Sequence, residues 1–558
     1  MNTFFTDAIM NGSDWQGLEL AVARICIHCG WDNVYWVGRS GDRGADILAT
    51  RRDKEGQSQS YAFQSKAVTG DNYVGTSAIQ QALEAQDHYR TKTIIIVTNG
   101  EFTKSCYKRK EELVSAGIDV RLWNGSFLRN LINKAPVFPA NIKPLRSYQE
   151  YIKNKVSELQ QRSGSHGLFI VATGLGKTVI AASIADHFFR DRGMKKILVL
   201  CHATDLAFQL QKSFWTQCGK DIPTRIFMAG SPPSTRPGIT FGLYQSLQGY
   251  LGGINPDAFD LVIVDEAHHA VSHGFRTCIN HLRPKFLIGM TATPWRGDGQ
   301  QIEEIFGAPL AKVSLVDGMR DGYLAAIDYR LMCDNINWEE VPKVAGCKVS
   351  IRDLNKRLFF PQRDAAIISQ IRRASEEFAN PKIAVFSPSV KHAEKFSEAL
   401  SSAGIPALNL SISDKTERNS RLLRFTTGEL MAVTSVDVLN EGIDVPDVNI
   451  LVFLRATHSR RIFVQQLGRG LRLAEGKSKV IVLDFVSDIR RLAAVSELKS
   501  ELQAASPERT VFLDEGVVAF SNEKTEKFVD RWLNDIASLQ DGEDTEKLIF
   551  PTIEYTDL

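Results

Sequence analysis

The stretch Leu168–Phe189, LFIVATGLGKTVIAASIADHFF, decides the fold. An apolar run of strand length, a glycine-containing turn and a helical run follow one another without a gap, which is the order strand, loop, helix. Inside it, ATGLGKT (Ala172–Thr178) has the composition of a phosphate-binding loop. Gly174 and Gly176 let backbone N–H groups approach an anion, and Lys177 adds charge for the β- and γ-phosphates of a nucleotide. The Thr178 hydroxyl is suited to hold Mg²⁺. A Gly-Lys-Thr also occurs by chance, and a second motif is needed beside it.

That motif is LVIVDEAHH (Leu261–His269), which puts Asp265 and Glu266 at the end of a buried strand. Asp265 is suited to anchor Mg²⁺, largely through water, and Glu266 to activate an attacking water as general base. An acidic pair at a strand end can be no more than a helix-cap feature, but beside the first loop it reads as phosphoryl-transfer machinery. Apolar strands such as KILVLC (196–201) and FLIGMTAT (286–293) alternate with helical segments to about residue 325. A second set follows: IAVFSP (383–388), MAVTS (431–435), NILVFL (449–454) and KVIVLDF (479–485). This alternation predicts two parallel-sheet domains in tandem.

The chain has 558 residues, too many for one core. With 43% hydrophobic and 24% charged residues and a net charge of +2, it reads as globular, with no global basic signature. Any nucleic-acid binding has to use local basic surfaces. No run of eighteen apolar residues and no signal peptide stand out, and the eight cysteines lack framework spacing, so a cytoplasmic protein is expected, without a membrane partner. Cys26 and Cys29 form a C-x-x-C, but helical spacing makes them core-facing.

The first 135 residues read as a separate α/β domain. An amphipathic helix is expected over 15–30, then a hairpin of ADILAT (45–50) and YAFQSKAV (61–68), a buried strand TIIIVT, a helix and the strand IDVRLW. Period-two geometry puts Gln64 and Lys66 on one strand face. A metal-dependent nuclease needs clustered acidic oxygens and a cation near the reacting phosphate. Lys66 can be the cation, Asp46 lies at the start of the partner strand after the loop GRSGDRG, and Glu19 on the helix can close the site. Asp42 is read as loop-forming. A solvated strand face and an inactive DNA-binding relic are the alternatives.

The motifs LRSYQ, ATGLGKT, CHATDLAFQ, DEAH, GMTATPWRGD, VTSVDVLNEGIDVP and QQLGRGLR, in this order over roughly 140–490, resemble the superfamily 2 helicases and translocases. The resemblance implies that Gln149 reads adenine and that Thr173, Gly174, Gly176, Lys177, Thr178, Asp265 and His268 belong to an ATP and Mg²⁺ site. It also implies that Thr291 and Thr293 couple hydrolysis to DNA, and that Gly442 and Asp444 touch nucleotide and nucleic acid. Gln465, Arg469 and Arg472 would face the γ-phosphate; the arginine usual beside that glutamine is here Gln466. The N-terminal pattern, with Glu19, Asp46 and Gln64-x-Lys66 followed by IIIVTNGEFTKSCYKRKEELVSAGIDVRLW, is similar to the Mrr-type restriction endonucleases of the PD-(D/E)xK fold. That resemblance implies Mg²⁺ held by Glu19, Asp46 and Gln64. The expected architecture is α/β: a restriction-endonuclease-like domain (1–135), two RecA-like parallel-sheet domains (136–325 and 326–490) and a mainly helical, acidic C-terminal extension (491–558). The expected activity is an ATP-dependent DNA helicase or translocase joined to a DNA endonuclease in restriction, with double-stranded DNA as partner and room for further subunits. The alternative is a repair or recombination helicase whose first domain only binds DNA.

Overall fold

A computed structural model describes residues 5–37, 43–162, 164–227, 233–292, 299–332, 348–350, 364–436, 447–454, 468, 470–474, 477, 479–485 and 547–549. The chain divides into two compact units: residues 1–171, 176–312 and 413–427 in the first, and 172–175, 313–412 and 428–558 in the second.

The first sheet of the first unit is built from β1 (Asp32–Trp36), β2 (Ile47–Arg52), β3 (Ser58–Lys66), β4 (Thr93–Thr98) and β5 (Asp119–Trp123), in that spatial order. β1, β2 and β3 are antiparallel neighbours, whereas β3, β4 and β5 run parallel. The hairpin is longer than the apolar pattern predicts. Arg51 and Arg52 pair with Gln59 and Ser58, so polar connector residues extend both strands and only 53–57 turn. Backbone pairing, not hydrophobicity, sets that length.

Helix α1 (Trp15–His28), capped by the Asp14 side chain on Gly17 N, covers one face with Leu18, Val22 and Cys26. Those residues pack on Ile47, Ala49, Tyr61, Phe63, Ile95 and Val97. Helix α2 (Ser77–Tyr89) and the helix α3 (Lys104–Ser115) cover the other face, on Leu48, Ala62, Ile94 and Ile96. Each strand thus sends alternate side chains into two cores, as period two requires. Helix α4 (Gly125–Lys134) closes this part, and Leu128 joins the α1 face.

The second sheet of the unit follows helix α5 (Ser147–Gln161). Its elements are β6 (His166–Val171), α6 (Lys177–Asp191), β7 (Lys196–Cys201), α7 (Thr204–Trp215), β8 (Thr224–Phe227), β9 (Gly238–Leu243), β10 (Leu261–Asp265), β11 (Phe286–Thr291) and β12 (Pro309–Val313). The order is β8-β9-β7-β10-β11-β6-β12, with parallel pairing from β8 through β6. The buried strands are near-continuous apolar runs, as a parallel sheet covered on both sides demands.

The second unit holds a six-stranded parallel sheet. Along the chain come β13 (Ala326–Met332), α8 (Asp364–Ser375), β14 (Ile383–Phe386), α9 (Val390–Ser402), β15 (Ala407–Asn409), then β16 (Ala432–Ser435), β17 (Ile450–Phe453) and β18 (Lys479–Phe485). Their spatial order is β13-β18-β17-β14-β16-β15. Of the C-terminal extension, expected to be helical, only Lys547–Ile549 are described, and they form a strand antiparallel to Lys348–Ser350. Among the described residues no helix is long and apolar enough to cross a membrane.

Candidate active sites

The glycines of ATGLGKT adopt the backbone their motif predicts. Gly174 has φ +88° and Gly176 φ +78°, values that L side chains rarely adopt. Gly176 is the N-cap of α6, so Lys177 and Thr178 open that helix. A Cβ on Gly176 would come within 2.7 Å of Gln149 Nε2. The buried Gln149 amide is thereby brought beside the loop, and its Oε1 accepts from Arg146 N at 2.9 Å.

β10 is the central strand that delivers the acidic pair. Asp265 ends it, opposite Met290, and Glu266 follows with φ +47°, an uncommon conformation for a non-glycine residue. Lys177 Nζ lies 2.6 Å from Glu266 Oε1 and 3.3 Å from Asp265 Oδ1. Burial would disfavour all three charges. The two carboxylates nevertheless hold the Lys177 ammonium above its ordinary range. Glu266, buried but facing Lys177 and His268, is held well below the usual carboxylate range, whereas burial pushes Asp265 up. The fully buried His268 shares a 2.9 Å hydrogen bond between its Nδ1 and Thr291 Oγ1, which joins the ends of β10 and β11. Arg472 forms an isolated bridge with Leu324. Thr293, Gly442, Asp444, Gln465 and Arg469 lie outside the described residues.

The second cluster lies at one end of the first sheet. Asp46 immediately precedes β2, Gln64–Lys66 end β3 and Trp36 ends β1. Asp46 N donates to Phe63 O and Val37 N donates to Asp46 O, so the Asp46 backbone is held between both neighbouring strands. The Asp46 carboxylate accepts from Gln64 Nε2 at 3.0 Å and from the Ser65 amide at 2.5 Å. Both side chains are buried, and Gln64 Oε1 has no hydrogen-bond partner among the described residues. A buried amide oxygen without a donor is costly, and a hard cation would satisfy it. Lys66, half-buried, stands two residues on along the same strand face.

Glu19 belongs to α1, which covers the sheet face of Phe63 rather than that of Ala62 and Gln64, and its Oε2 accepts from Trp36 Nε1 at 2.6 Å. Asp42, in the preceding loop, lies outside the described residues. No group of three or more His, Cys, Asp or Glu side chains that could hold a metal ion gathers among the described residues. Sequence reasoning missed Trp36. Its only signal was an aromatic residue directly before a glycine-rich loop.

Comparison with known proteins follows the same division. Residues 10–132 match the family described as Restriction endonuclease, residues 142–296 that of Type III restriction enzyme, res subunit, and residues 365–474 Helicase conserved C-terminal domain. The chain joins an Mrr-type endonuclease domain to a superfamily 2 helicase. This chain is 27% identical over 379 residues to a Schizosaccharomyces pombe protein named as a mitochondrial ATP-dependent helicase, irc3, covering 65% of the chain and 60% of that relative. It is 24% identical to the type I restriction enzyme EcoAI endonuclease subunit of Escherichia coli, covering 62% and 46% of the two chains. The chain thus spans about half to three-fifths of these relatives' lengths. A solved ATP-dependent Type ISP restriction-modification enzyme, LlaBIII bound to DNA, shares the fold with a TM-score of 0.50, 17% identity, and coverage of 87% of this chain and 37% of that one.

Proposed function

We propose that this chain is an ATP-driven DNA helicase or translocase that directs a Mg²⁺-dependent DNA endonuclease, in cytoplasmic restriction of foreign DNA. The observation that carries the reading is the buried Asp46–Gln64 pair, with Gln64 Oε1 lacking a donor among the described residues, in the same compact unit as the Lys177–Glu266 cluster.

In the motor, the glycine loop and Lys177 bind the nucleotide phosphates, so Lys177 exchanges Glu266 for phosphate when ATP enters. Glu266, released from that pair, accepts the proton of the attacking water. His268 and Thr291 tie Glu266's segment to β11, where Thr291 lies within the GMTATPWRGD motif. Thr178 and Asp265 would hold Mg²⁺, which supplies charge neutralisation on the phosphates when bound.

In the nuclease, Asp46 and Gln64 would hold Mg²⁺, a Lewis acid toward the scissile phosphate. Lys66 stands where it can stabilise the charge developing on that phosphate. Gln64 lends an oxygen without a second negative charge, which weakens the ion's hold relative to a carboxylate but leaves Asp46 a hydrogen-bond donor. DNA is expected to be bound mainly through phosphates, with affinity falling steeply in salt.

The test is cleavage of plasmid and linear DNA with and without ATP and Mg²⁺. Lys66→Ala should abolish nicking and keep DNA-stimulated ATP turnover. Cleavage retained in Lys66→Ala removes the site assignment. Strand separation without cleavage by the unaltered protein favours a repair or recombination helicase whose first domain only grips DNA.

A further inference from the structure

Glu266 sits in the left-handed region at φ +47°, and a non-glycine residue keeps that conformation only where its surroundings hold it. The hold comes from the short turn that follows, Ala267–Val271. His269 N donates to Glu266 O at 2.8 Å and closes that turn. The side chains then form a column. His268 Nδ1, fully buried, stands 3.3 Å from Glu266 Oε2, and the His269 ring lies 4.2 Å from the His268 ring at 45°. Beside His269 lies a third imidazole, that of His202, at 4.6 Å and 46°. His202 comes from the neighbouring strand: β7 and β10 run parallel with Leu200 beside Val264, so both segments leave the sheet at the same end. It directly follows β7, and its carbonyl accepts from Gln245 Nε2 at 3.2 Å. Two residues later α7 begins, a helix that the endonuclease domain holds from outside. Trp215 of α7 sits in one core with Leu18 and Phe63, and the Phe208 ring lies 5.0 Å from that of Trp36.

We propose that His269 is a positioning residue that braces the Glu266 turn, and that His202 backs it from the neighbouring strand. The inference rests on the general-base role of Glu266 given above. A ring pair at such a separation contributes roughly 2–10-fold to an equilibrium or a rate. A general base works only within reach of the water it deprotonates, so a relaxed turn costs turnover rather than nucleotide affinity. Because His202 leads into α7, the base is braced by the same helix that the endonuclease domain holds. A displacement of the first turn of α7 reaches the Glu266 segment through two ring contacts.

The experiment measures ATP turnover and fluorescent-nucleotide affinity of the full chain with duplex DNA. His202→Ala should lower kcat roughly 2–10-fold, and His269→Ala, which loses both ring contacts, should lower it further. Nucleotide affinity should stay unchanged in both. His269→Phe keeps a ring and should restore most of the turnover, which a proton-carrying imidazole would not allow. In Glu266→Gln protein, followed under single-turnover conditions, adding His269→Ala should slow hydrolysis no further, because the contact acts through the group already removed. His202→Ala carries the test if His269→Ala does not fold. Unaltered kcat in the alanine variants, a nucleotide affinity that falls as much as kcat, no rescue by His269→Phe, or an added loss in the Glu266→Gln protein overturns the positioning role. Unaltered turnover in Glu266→Gln alone overturns the general-base reading instead, and with it the premise of this role.

Discussion

Lys177 Nζ and Glu266 Oε1 are 2.6 Å apart, and the backbone of Glu266 is held at φ +47°. The carboxylate is thus placed by an unusual backbone turn and, though buried, kept charged by the Lys177 ammonium. Glu266→Gln keeps the shape and the side-chain oxygen but removes the base. ATP turnover should fall by about 10²–10⁴-fold while nucleotide binding persists. Steady-state hydrolysis together with fluorescent-nucleotide titration reads the two separately. Turnover at the unaltered rate would take the general-base role away from Glu266.

Gln64→Glu replaces the amide that donates to Asp46 by a second carboxylate at 3.0 Å. Without metal, the lost donor and the like charges should lower stability by about 1–3 kcal/mol. With Mn²⁺ the order should reverse, because two carboxylates hold a hard cation better than one carboxylate and an amide. Thermal melts with and without Mn²⁺ should therefore cross. A variant equally stable in both conditions would mean that no ion binds there.

His28 is fully buried at the end of α1, and burial, with the Arg24 guanidinium nearby, pushes its pKa down from 6.5 to about 3. Between these values the unfolded chain binds a proton that the folded chain does not. Its contribution to stability is therefore complete above pH 6.5 and declines as pH falls toward 3, by up to about 1.4 kcal/mol per unit. His28→Gln should flatten this slope. Urea midpoints at pH 7.5 and 5 for the two proteins check it, and parallel slopes would contradict it.

Arg24 is the buried charge that ties α1 to the segment after α7, and desolvation lowers its pKa to about 10, so it remains ionised at neutral pH. Arg24→Leu leaves two buried carbonyls without a donor, at about 1–3 kcal/mol each. Calorimetry should show an earlier transition for the endonuclease domain than for the adjoining sheet. One unshifted transition would show that this tie carries no stability.

Local chemistry was legible wherever a few consecutive residues define it. ATGLGKT specifies its own loop because Gly174 and Gly176 permit positive φ, and LVIVDE specifies a buried strand with acids at its tip. The Asp46–Gln64 pairing was legible too, since a hairpin and period two bring adjacent strand positions together. Hairpin length was not, because polar residues joined the ladder once their backbones had partners. Trp36 and Arg24 escaped notice for a different reason. Each acts on a group remote in sequence, and neither breaks the local pattern of its element.

The sequence by itself determined the order of strands and helices, the phosphate loop, the acidic strand tip and the polar pair on β3, because backbone sterics and side-chain periodicity act within a few residues. Only the tertiary structure decided that Trp36 holds Glu19, that Phe208 of α7 backs Trp36, and that Arg24 bonds backbone 195 and 198 positions away. Those relationships follow from which surfaces must be buried together, and burial is a property of the packed chain rather than of any one stretch of it.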